Sequence, residues 1–448
     1  MFSAYNYPSS SSSVEFYRGP VLRSLSDNLS EYFEDALIVT QKNGEKAGLI
    51  VAIGEAAKVA KELKLDLSAL KKNMDLLMPA FFDTHFHWVQ DDVRQMPKVS
   101  LIEWLERYTF PEEAKYSDHK FSSVKAKRFW KRILSVGTIG GLCYSSIHEV
   151  ALKEAFKYAP EDFNIGNVLM TMNCPEDIRQ SPQRACASVD NCAKRYKSRY
   201  VCSPRFAPTT CPEAMQASAL AAARHDCFQQ THLGETKNEI QWVLEIYAKI
   251  KGFEGVKTYT EIYERVKMLG PKTIFGHCIY LAESEWKLLA DSGSRIASCP
   301  SSNAPVDQLG IGSGLFDFEK AESLGVPWAL ASDIGGGPFL SMFDVMRSFV
   351  LQNREVGRHS ATFTKALHRT TFKGAELMDL SADRGMLEVG YYLDAIRVPM
   401  PPGLPARANG EMALEALIRL MPNRESSDTF VNETIIRGKS CFNKEAVV

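Results

Sequence analysis

The sequence contains no C-x-x-C pair, although it has ten cysteines. This absence excludes zinc-ribbon and thioredoxin-like sites, which need two closely spaced thiols. Cysteines scattered through a chain of this length indicate reduced thiols rather than a disulfide framework. No apolar run approaches the ~18 residues of a membrane-spanning helix, and the first residues lack the basic and apolar segments of a signal peptide. We therefore expect a soluble, cytoplasmic protein with no membrane association.

The chain also lacks an excess of charge of either sign. Its 448 residues include 53 Lys and Arg against 54 Asp and Glu, which gives a net charge of −1. Proteins that bind nucleic acids usually show a basic face and a high pI, whereas the pI of this sequence is about 6.8. A nucleic-acid partner is therefore not expected, although a ligand of the size of one nucleobase stays open.

Between residues 76 and 385, short apolar runs alternate with segments of helical character. Runs such as GTIGGLCYSS, KTIFGHC and VPWALASD are separated by segments such as PEAMQASALAAARH. This alternation predicts an α/β fold with parallel strands and helical crossovers. Eight such strands in roughly 300 residues fit a distorted (β/α)8 TIM barrel. A doubly wound sheet is less favoured, because no G-x-G-x-x-G follows an early strand.

Both chain ends are rich in short runs typical of β-strands. ALIVT and AGLIVAIG lie near the start, and ETIIRG lies near the end. We expect the two ends to form one small β-sandwich domain outside the barrel. The predicted boundaries are 1–75 and 386–448 for this small domain and 76–385 for the catalytic barrel, with a mobile tail over 1–14.

Imidazole and carboxylate side chains stand where several predicted barrel strands end. His85 and His87 form an H-x-H pattern, and His232, His277 and Asp333 each follow a separate apolar run. Residues i and i+2 of a strand point to the same side, so the first two histidines can face one point. A single histidine at a strand end is more often a capping or packing residue. The occurrence of all five of these side chains at four strand ends, however, predicts a catalytic metal site.

Glu235 lies three residues after His232, in the segment THLGE. This spacing places a carboxylate beside the predicted metal site without making it a ligand, which suits a proton shuttle. The alternative is a glutamate in the first turn of the following helix, stabilised by the helix dipole.

The segments that carry these residues resemble a known family. PAFFDTHFHWVQ, SPRFAPT, THLGETKNEI, FGHC, SCPSSN and SDIGGGPFLSMFDVMR are similar to motifs of the amidohydrolase superfamily and, within it, of the guanine deaminases. WLERYTFPEEAKY strengthens the narrower match. The resemblance implies zinc-dependent hydrolytic deamination of guanine to xanthine and ammonia, and hence a small purine as the partner.

The resemblance also assigns roles to individual residues. It implies one zinc ion per chain, held by His85, His87, His232 and Asp333. It implies purine-binding roles for Gln90, Arg205, Phe206 and His277. In the implied reaction, Asp333 takes a proton from water, Glu235 protonates a ring nitrogen, and His277 stabilises the developing oxyanion. Dimers are common among similar proteins, so a homodimer stays open, although no apolar stripe in the sequence identifies an interface.

Other activities stay open on the sequence alone. The barrel could deaminate another aminopurine, a pterin or an amino-triazine, or it could be a mononuclear hydrolase of cyclic amides. A two-metal hydrolase is less favoured, because no lysine stands at the central strand ends MTMN and SPRF. A cytidine-deaminase type of site is excluded, because it needs a P-C-x-x-C motif.

Overall fold

The computed structural model describes residues 13–405, 407–421 and 426–447. The predicted mobile tail lies outside the described residues over 1–12, and the first strand begins at Val14. The chain divides into two compact units. One comprises Met1–Phe82, Arg132–Ile139 and Ser341–Val448, and the other comprises Asp83–Lys131 and Gly140–Leu340. The predicted boundaries at residues 75 and 385 stay predictions.

The strands are β1 (Val14–Ser26), β2 (Leu29–Gln41), β3 (Ile50–Glu55), β4 (Leu76–Pro79), β5 (Phe81–His87), β6 (Thr138–Ser145), β7 (Phe163–Leu169), β8 (Val201–Pro204), β9 (Phe228–Leu233), β10 (Thr273–His277), β11 (Arg295–Ser298), β12 (Trp328–Leu330), β13 (Ala395–Val398), β14 (Glu433–Ile436) and β15 (Lys439–Asn443). The α-helices are α1 (Ala56–Leu63), α2 (Leu101–Trp104), α3 (Phe110–Ala114), α4 (His119–Ser135), α5 (Glu149–Tyr158), α6 (Pro182–Tyr196), α7 (Pro212–His225), α8 (Lys237–Tyr247), α9 (Tyr259–Arg265), α10 (Glu283–Ser292), α11 (Pro300–Asn303), α12 (Phe318–Ser323), α13 (Met342–Glu355), α14 (Phe363–Thr370), α15 (Phe372–Leu377) and α16 (Gly410–Leu420).

Strands from both chain ends form a seven-stranded sheet in the order β15-β14-β13-β4-β1-β2-β3. Its pairs are antiparallel except β1 with β4. Successive side chains of β2 point to opposite faces of the sheet, because side chains alternate along a strand. Ala36 and Ile38 belong to one apolar cluster, and Leu37 and Val39 pack with Val59 of α1 in another. The prediction that strands from both chain ends join in one sheet is confirmed, and we call the compact unit that holds it (Met1–Phe82, Arg132–Ile139 and Ser341–Val448) the β unit.

Strands β5 to β12 form an eight-stranded sheet in which sequence neighbours lie side by side. The pairs from β6–β7 to β11–β12 are parallel. The segment after β12 returns to β5, where Asp333 N donates to His85 O (2.8 Å) and His87 N donates to Ile334 O. These bonds bring the first strand beside the last, and the predicted α/β barrel is confirmed.

Two further expectations concern the whole chain. Among the described helices, none combines the length and the apolar character needed to cross a membrane. All ten cysteines lie within the described residues, and none of them forms a disulfide there.

Candidate active site

Four predicted ligands meet at the carboxyl ends of the barrel strands. His85 and His87 come from β5, His232 from β9, and Asp333 from the segment after β12. Nε2 of His87 lies 3.2 Å from Nε2 of His232. Oδ1 of Asp333 lies 3.4 Å from Nε2 of His85 and 3.5 Å from Nε2 of His87. We call these four side chains the histidine–aspartate cluster.

The donor set of this cluster fits a divalent cation. One ligand atom from each side chain lies within 4.8 Å of the others. Burial lowers the pKa of His85, His87 and His232, so their imidazoles are neutral and each keeps a lone pair. Nδ1 of His232 donates to the Arg205 carbonyl oxygen (2.7 Å), which leaves Nε2 unprotonated and directed at the cluster. Neutral imidazoles around one carboxylate are ligands that zinc and similar ions prefer.

Asp333 is the anionic member of the cluster. Burial alone would raise its pKa, but the contact with His85 and the charge of His277 outweigh burial and hold the pKa below the usual range of a carboxyl group. Oδ2 accepts a hydrogen bond from Oγ of Ser302 (2.6 Å). Ser302 thereby fixes the carboxylate plane while Oδ1 faces the histidines.

Close backbone approaches shape the cluster. A Cβ at Gly276 would collide with the imidazole of His85, and a Cβ at Gly336 would lie 2.6 Å from Oδ2 of Asp333. His277 and Asp333 themselves have φ values of 70° and 49°, in the left-handed region that side-chain-bearing residues seldom occupy. Such conformations concentrate where a site must hold its groups in place.

Glu235 lies beside the cluster and is buried. Its Oε1 accepts hydrogen bonds from Oγ of Ser313 (3.1 Å) and Nδ2 of Asn303 (3.3 Å), and its Oε2 lies 3.6 Å from Nε2 of His277. Burial, followed by the charge of Asp333, raises the pKa of Glu235 to about 8. The group therefore carries a proton at neutral pH, as a general acid must.

The alternative interpretation of Glu235 was a glutamate that stabilises the first turn of the following helix. A different glutamate has that role. Thr236 caps α8, and the carboxylate of Glu239 accepts hydrogen bonds from the backbone N of Glu235 (2.9 Å) and of Thr236 (3.2 Å). The capping role thus belongs to Glu239, which leaves the carboxyl of Glu235 free to line the pocket.

The four predicted purine contacts line one pocket with three members of the cluster. Gln90, Arg205, Phe206 and His277 share it with His87, His232, Asp333 and Glu235. Its apolar wall was not foreseen and consists of Leu101, Trp104, Leu105 and Ile311. A flat heterocycle suits this combination of an aromatic ring, aliphatic walls and a few polar groups.

Several other residues at the site were missed. Ser302 and Asn303 lie in SCPSSN, and Glu113 lies in WLERYTFPEEAKY; these motifs signalled the family but gave the individual side chains no role. Glu113 is buried and binds both Gln90 and Arg205. Ser313 lies outside any motif that we singled out.

Three of the four apolar wall residues (Leu101, Trp104 and Leu105) and Glu113 come from one irregular helical segment. A π-helical stretch, Leu105–Thr109, joins α2 to α3. Pro111 cannot donate the backbone hydrogen bond that an α-helix needs four residues back, and its ring would crowd the carbonyl there. A π-helical turn absorbs this defect, and such turns are frequent at functional sites.

The chain resembles known proteins in both sequence and fold. The profile of the amidohydrolase family matches residues 76–440. Guanine deaminase from Escherichia coli K12 is 31% identical over 313 residues, which cover 68% of this chain and 69% of that protein. Guanine deaminase from Dictyostelium discoideum is 27% identical over 410 residues, covering 85% and 88%. The solved structure of the E. coli guanine deaminase superposes with a TM-score of 0.83 at 25% identity, covering 96% of this chain and all of that one (100%).

Proposed function

Because the chain belongs to the amidohydrolase family, we propose that it catalyses the hydrolytic deamination of guanine to xanthine and ammonia. One observation carries this proposal. His87, His232 and Asp333 of the histidine–aspartate cluster and a protonated Glu235 line one pocket with Gln90, Arg205 and Phe206. Metal ligands, a proton donor and a purine-sized polar and aromatic wall therefore face the same space.

The proposed cofactor is one zinc ion per chain, held by His85, His87, His232 and Asp333. Neither ring nitrogen of His85 has a hydrogen-bond partner among the described residues, so the imidazole can ligate a metal ion. Such an ion lowers the pKa of water towards ~7 and so supplies a hydroxide nucleophile at neutral pH.

The remaining steps belong to this chain's own side chains. Asp333 accepts a proton from the attacking water. Glu235 donates its proton to the ring nitrogen next to the carbon that carries the amino group, while the new C–O bond forms there. His277, whose Nε2 has no partner within the described residues, stabilises the negative charge on oxygen. As the C–N bond then breaks, Glu235, now a carboxylate, takes up the proton of the new hydroxyl group and relays it to the amino group, which leaves as ammonia while the carbonyl forms. The proton held by Asp333 then returns Glu235 to its protonated state.

Substrate recognition is assigned to Gln90, Arg205, Phe206 and His277. The guanidinium and amide groups suit the carbonyl and ring nitrogens of an oxopurine. The Phe206 ring, whose centroid lies 6.2 Å from that of His232, offers a flat face at the edge of the cluster. We further propose that the protein acts in the cytosol as a homodimer; its ten cysteines, none in a disulfide within the described residues, support a reducing compartment.

The test is ammonia release from a substrate panel by purified, zinc-loaded protein. We expect guanine to react fastest among guanine, adenine, a pterin and the amino-triazine ammeline, with about one zinc per chain by elemental analysis. Glu235→Gln should retain zinc and lose turnover by ~100-fold or more. No ammonia from guanine would defeat the proposal, and two metals per chain would favour a different hydrolysis. Light scattering of the same sample tests the dimer.

A further inference from the structure

Glu113 is a buried carboxylate that contacts both polar purine-binding candidates. Its Oε1 accepts from Nε2 of Gln90 (2.7 Å). Nη1 of Arg205 lies 2.8 Å from Oε1 and 2.9 Å from Oε2. The side chain of Glu113 is 1% exposed and that of Arg205 is 4% exposed, so water does not compete for these bonds.

This contact decides which way the Gln90 amide points. As the ion-pair partner of Arg205, Glu113 is a carboxylate and can only accept hydrogen bonds. The amide must therefore present its NH2 group to Glu113, and Oε1 of Gln90 has no hydrogen-bond partner among the described residues. Gln90 lines the pocket, so its free carbonyl is the acceptor offered to a ligand.

The support around Glu113 makes this orientation rigid. Glu113 lies in α3, directly after the π-helical stretch. The Arg205 guanidinium also stacks over the ring of Phe110 in the same helix, 5.4 Å from its centroid. A reversed Gln90 amide would place two buried oxygens against each other, which is costly.

We propose that Glu113 is a positioning residue that makes the pocket select the lactam edge of guanine. The inference rests on the proposed function and deepens it. Guanine carries an N1–H donor next to a C6 carbonyl acceptor, whereas an adenine-type edge carries an N1 acceptor next to an amino donor. A fixed Gln90 carbonyl accepts N1–H, and Arg205 donates to the carbonyl. With an adenine-type edge, the N1 acceptor would instead face the Gln90 carbonyl, and the amino donor would face the Arg205 cation.

The experiment compares Glu113→Gln with Glu112→Gln. Glu112 is the adjacent glutamate and is also buried, but its carboxylate binds Lys115 (2.6 Å) rather than the site. Hypoxanthine and adenine lack the 2-amino group and differ at the lactam edge, so each is measured as a competitive inhibitor of guanine turnover. Wild type and Glu112→Gln should bind hypoxanthine ~100-fold more tightly than adenine. Glu113→Gln can donate as well as accept at the same position, so the Gln90 amide can turn and the preference should fall to within ~5-fold.

The kinetic pattern separates positioning from a merely structural role. In Glu113→Gln, KM for guanine should rise at least as much as kcat falls, while adenine binding is unchanged or tighter. Equal weakening of hypoxanthine and adenine, or an unchanged preference, would overturn the role of Glu113. If Glu113→Gln is insoluble, Gln90→Met provides the test, because it removes the acceptor that Glu113 is proposed to orient and should abolish the same preference. Wild-type protein that releases no ammonia from guanine defeats the proposed function instead, and the two failures are thus distinct.

Discussion

The histidine–aspartate cluster and the β unit both bury polar side chains, but they satisfy them in different ways. In the cluster, both ring nitrogens of His85 lack a hydrogen-bond partner among the described residues. In the β unit, the fully buried Arg384 donates through Nε to Asp394, and the other carboxylate oxygen of Asp394 accepts from the backbone N of Arg437 (2.9 Å). His368 of the β unit also has a partner, with its Nδ1 3.0 Å from Oγ of Ser24.

This difference separates groups kept for a ligand from groups that hold the fold. A buried polar atom without a partner lowers stability, so it persists where another component completes it. A buried ion pair whose two carboxylate oxygens both accept hydrogen bonds offers no free carboxylate oxygen to a ligand, and its loss exposes a charge to an apolar interior. Substitutions in the two regions should therefore affect different measurements.

The largest expected effect is on activity, from His87→Gln in the cluster. The amide keeps most of the side-chain volume but is a poor ligand, so we expect metal content to fall well below one per chain and turnover to drop by ~1,000-fold or more. The unfolding free energy of metal-depleted protein should change by less than ~1 kcal/mol, because no buried charge loses its partner. Elemental analysis, ammonia release and urea denaturation measure the three quantities.

The matched control is His119→Gln. His119 has a largely exposed side chain and contacts Glu154 (3.1 Å), outside the pocket. It should change neither metal content nor turnover. A His87→Gln protein with normal zinc and normal turnover would remove His87 from the proposed ligand set.

The second effect is on stability, from Asp394→Asn in the β unit. The substitution leaves the guanidinium of Arg384 buried without its counter-charge, which should cost ~3–5 kcal/mol of unfolding free energy. Turnover per folded molecule should stay within about twofold of wild type, because no residue of the pocket changes. Glu31→Gln is the comparison, since Glu31 is 38% exposed in its pair with Arg23 and should cost ~1 kcal/mol or less. Equal losses from both variants would contradict the argument from burial.

The third effect concerns the pH dependence of stability through His368. Burial lowers the pKa of His368 from 6.5 to about 4 in the folded chain. Below pH 6.5 His368 binds a proton in the unfolded chain but stays neutral in the folded chain. Its contribution to the free energy of unfolding is therefore fully present above about pH 6.5 and is lost as the pH falls towards 4. Wild type should therefore lose up to ~3 kcal/mol more than His368→Gln between pH 7 and pH 4 in urea denaturation. Parallel curves for the two proteins would show that His368 titrates normally.

The sequence predicted best what depends on local periodicity. His85 and His87 share a face because they are two apart on a strand, and His232, His277 and Asp333 follow apolar runs whose ends meet in any parallel barrel. The alternation of apolar runs and helical segments likewise predicted the α/β barrel.

Residues that act through distant partners could not be foreseen in this way. Glu113 is 92 positions from Arg205, and its role depends on a π-helical turn that no hydrophobic pattern reveals. Asn303 and Ser313 reach Glu235 only through tertiary packing. Strand β4 gave a similar difficulty: its residues LLMP and the FFDTHFH of β5 read as one apolar run, yet β4 pairs with β1 and β13. A single intervening residue, Ala80, separates strands of two different sheets.

The smallest expected effect compares two helix caps, one beside the cluster and one in the β unit. Thr236 accepts from the backbone N of Glu239 (3.1 Å) at the start of α8, and Asn409 accepts from that of Met412 (2.9 Å) at the start of α16. Thr236→Ala and Asn409→Ala should each cost ~1 kcal/mol of unfolding free energy, because each leaves one backbone donor of its helix without this acceptor.

Only the first cap should also affect chemistry. Thr236 follows Glu235 directly, and a frayed first turn would loosen the bond from Glu235 N to Glu239 that holds the proton donor in place. We expect Thr236→Ala to lower kcat for guanine by about 5-fold and Asn409→Ala to leave it unchanged, since small misplacements of a catalytic group are costly. Equal kcat values in the two variants would mean that the hydrogen bonds from Asn303 and Ser313 position Glu235 without help from the helix. The difference between the two regions would then lie in the unpaired histidine nitrogens alone.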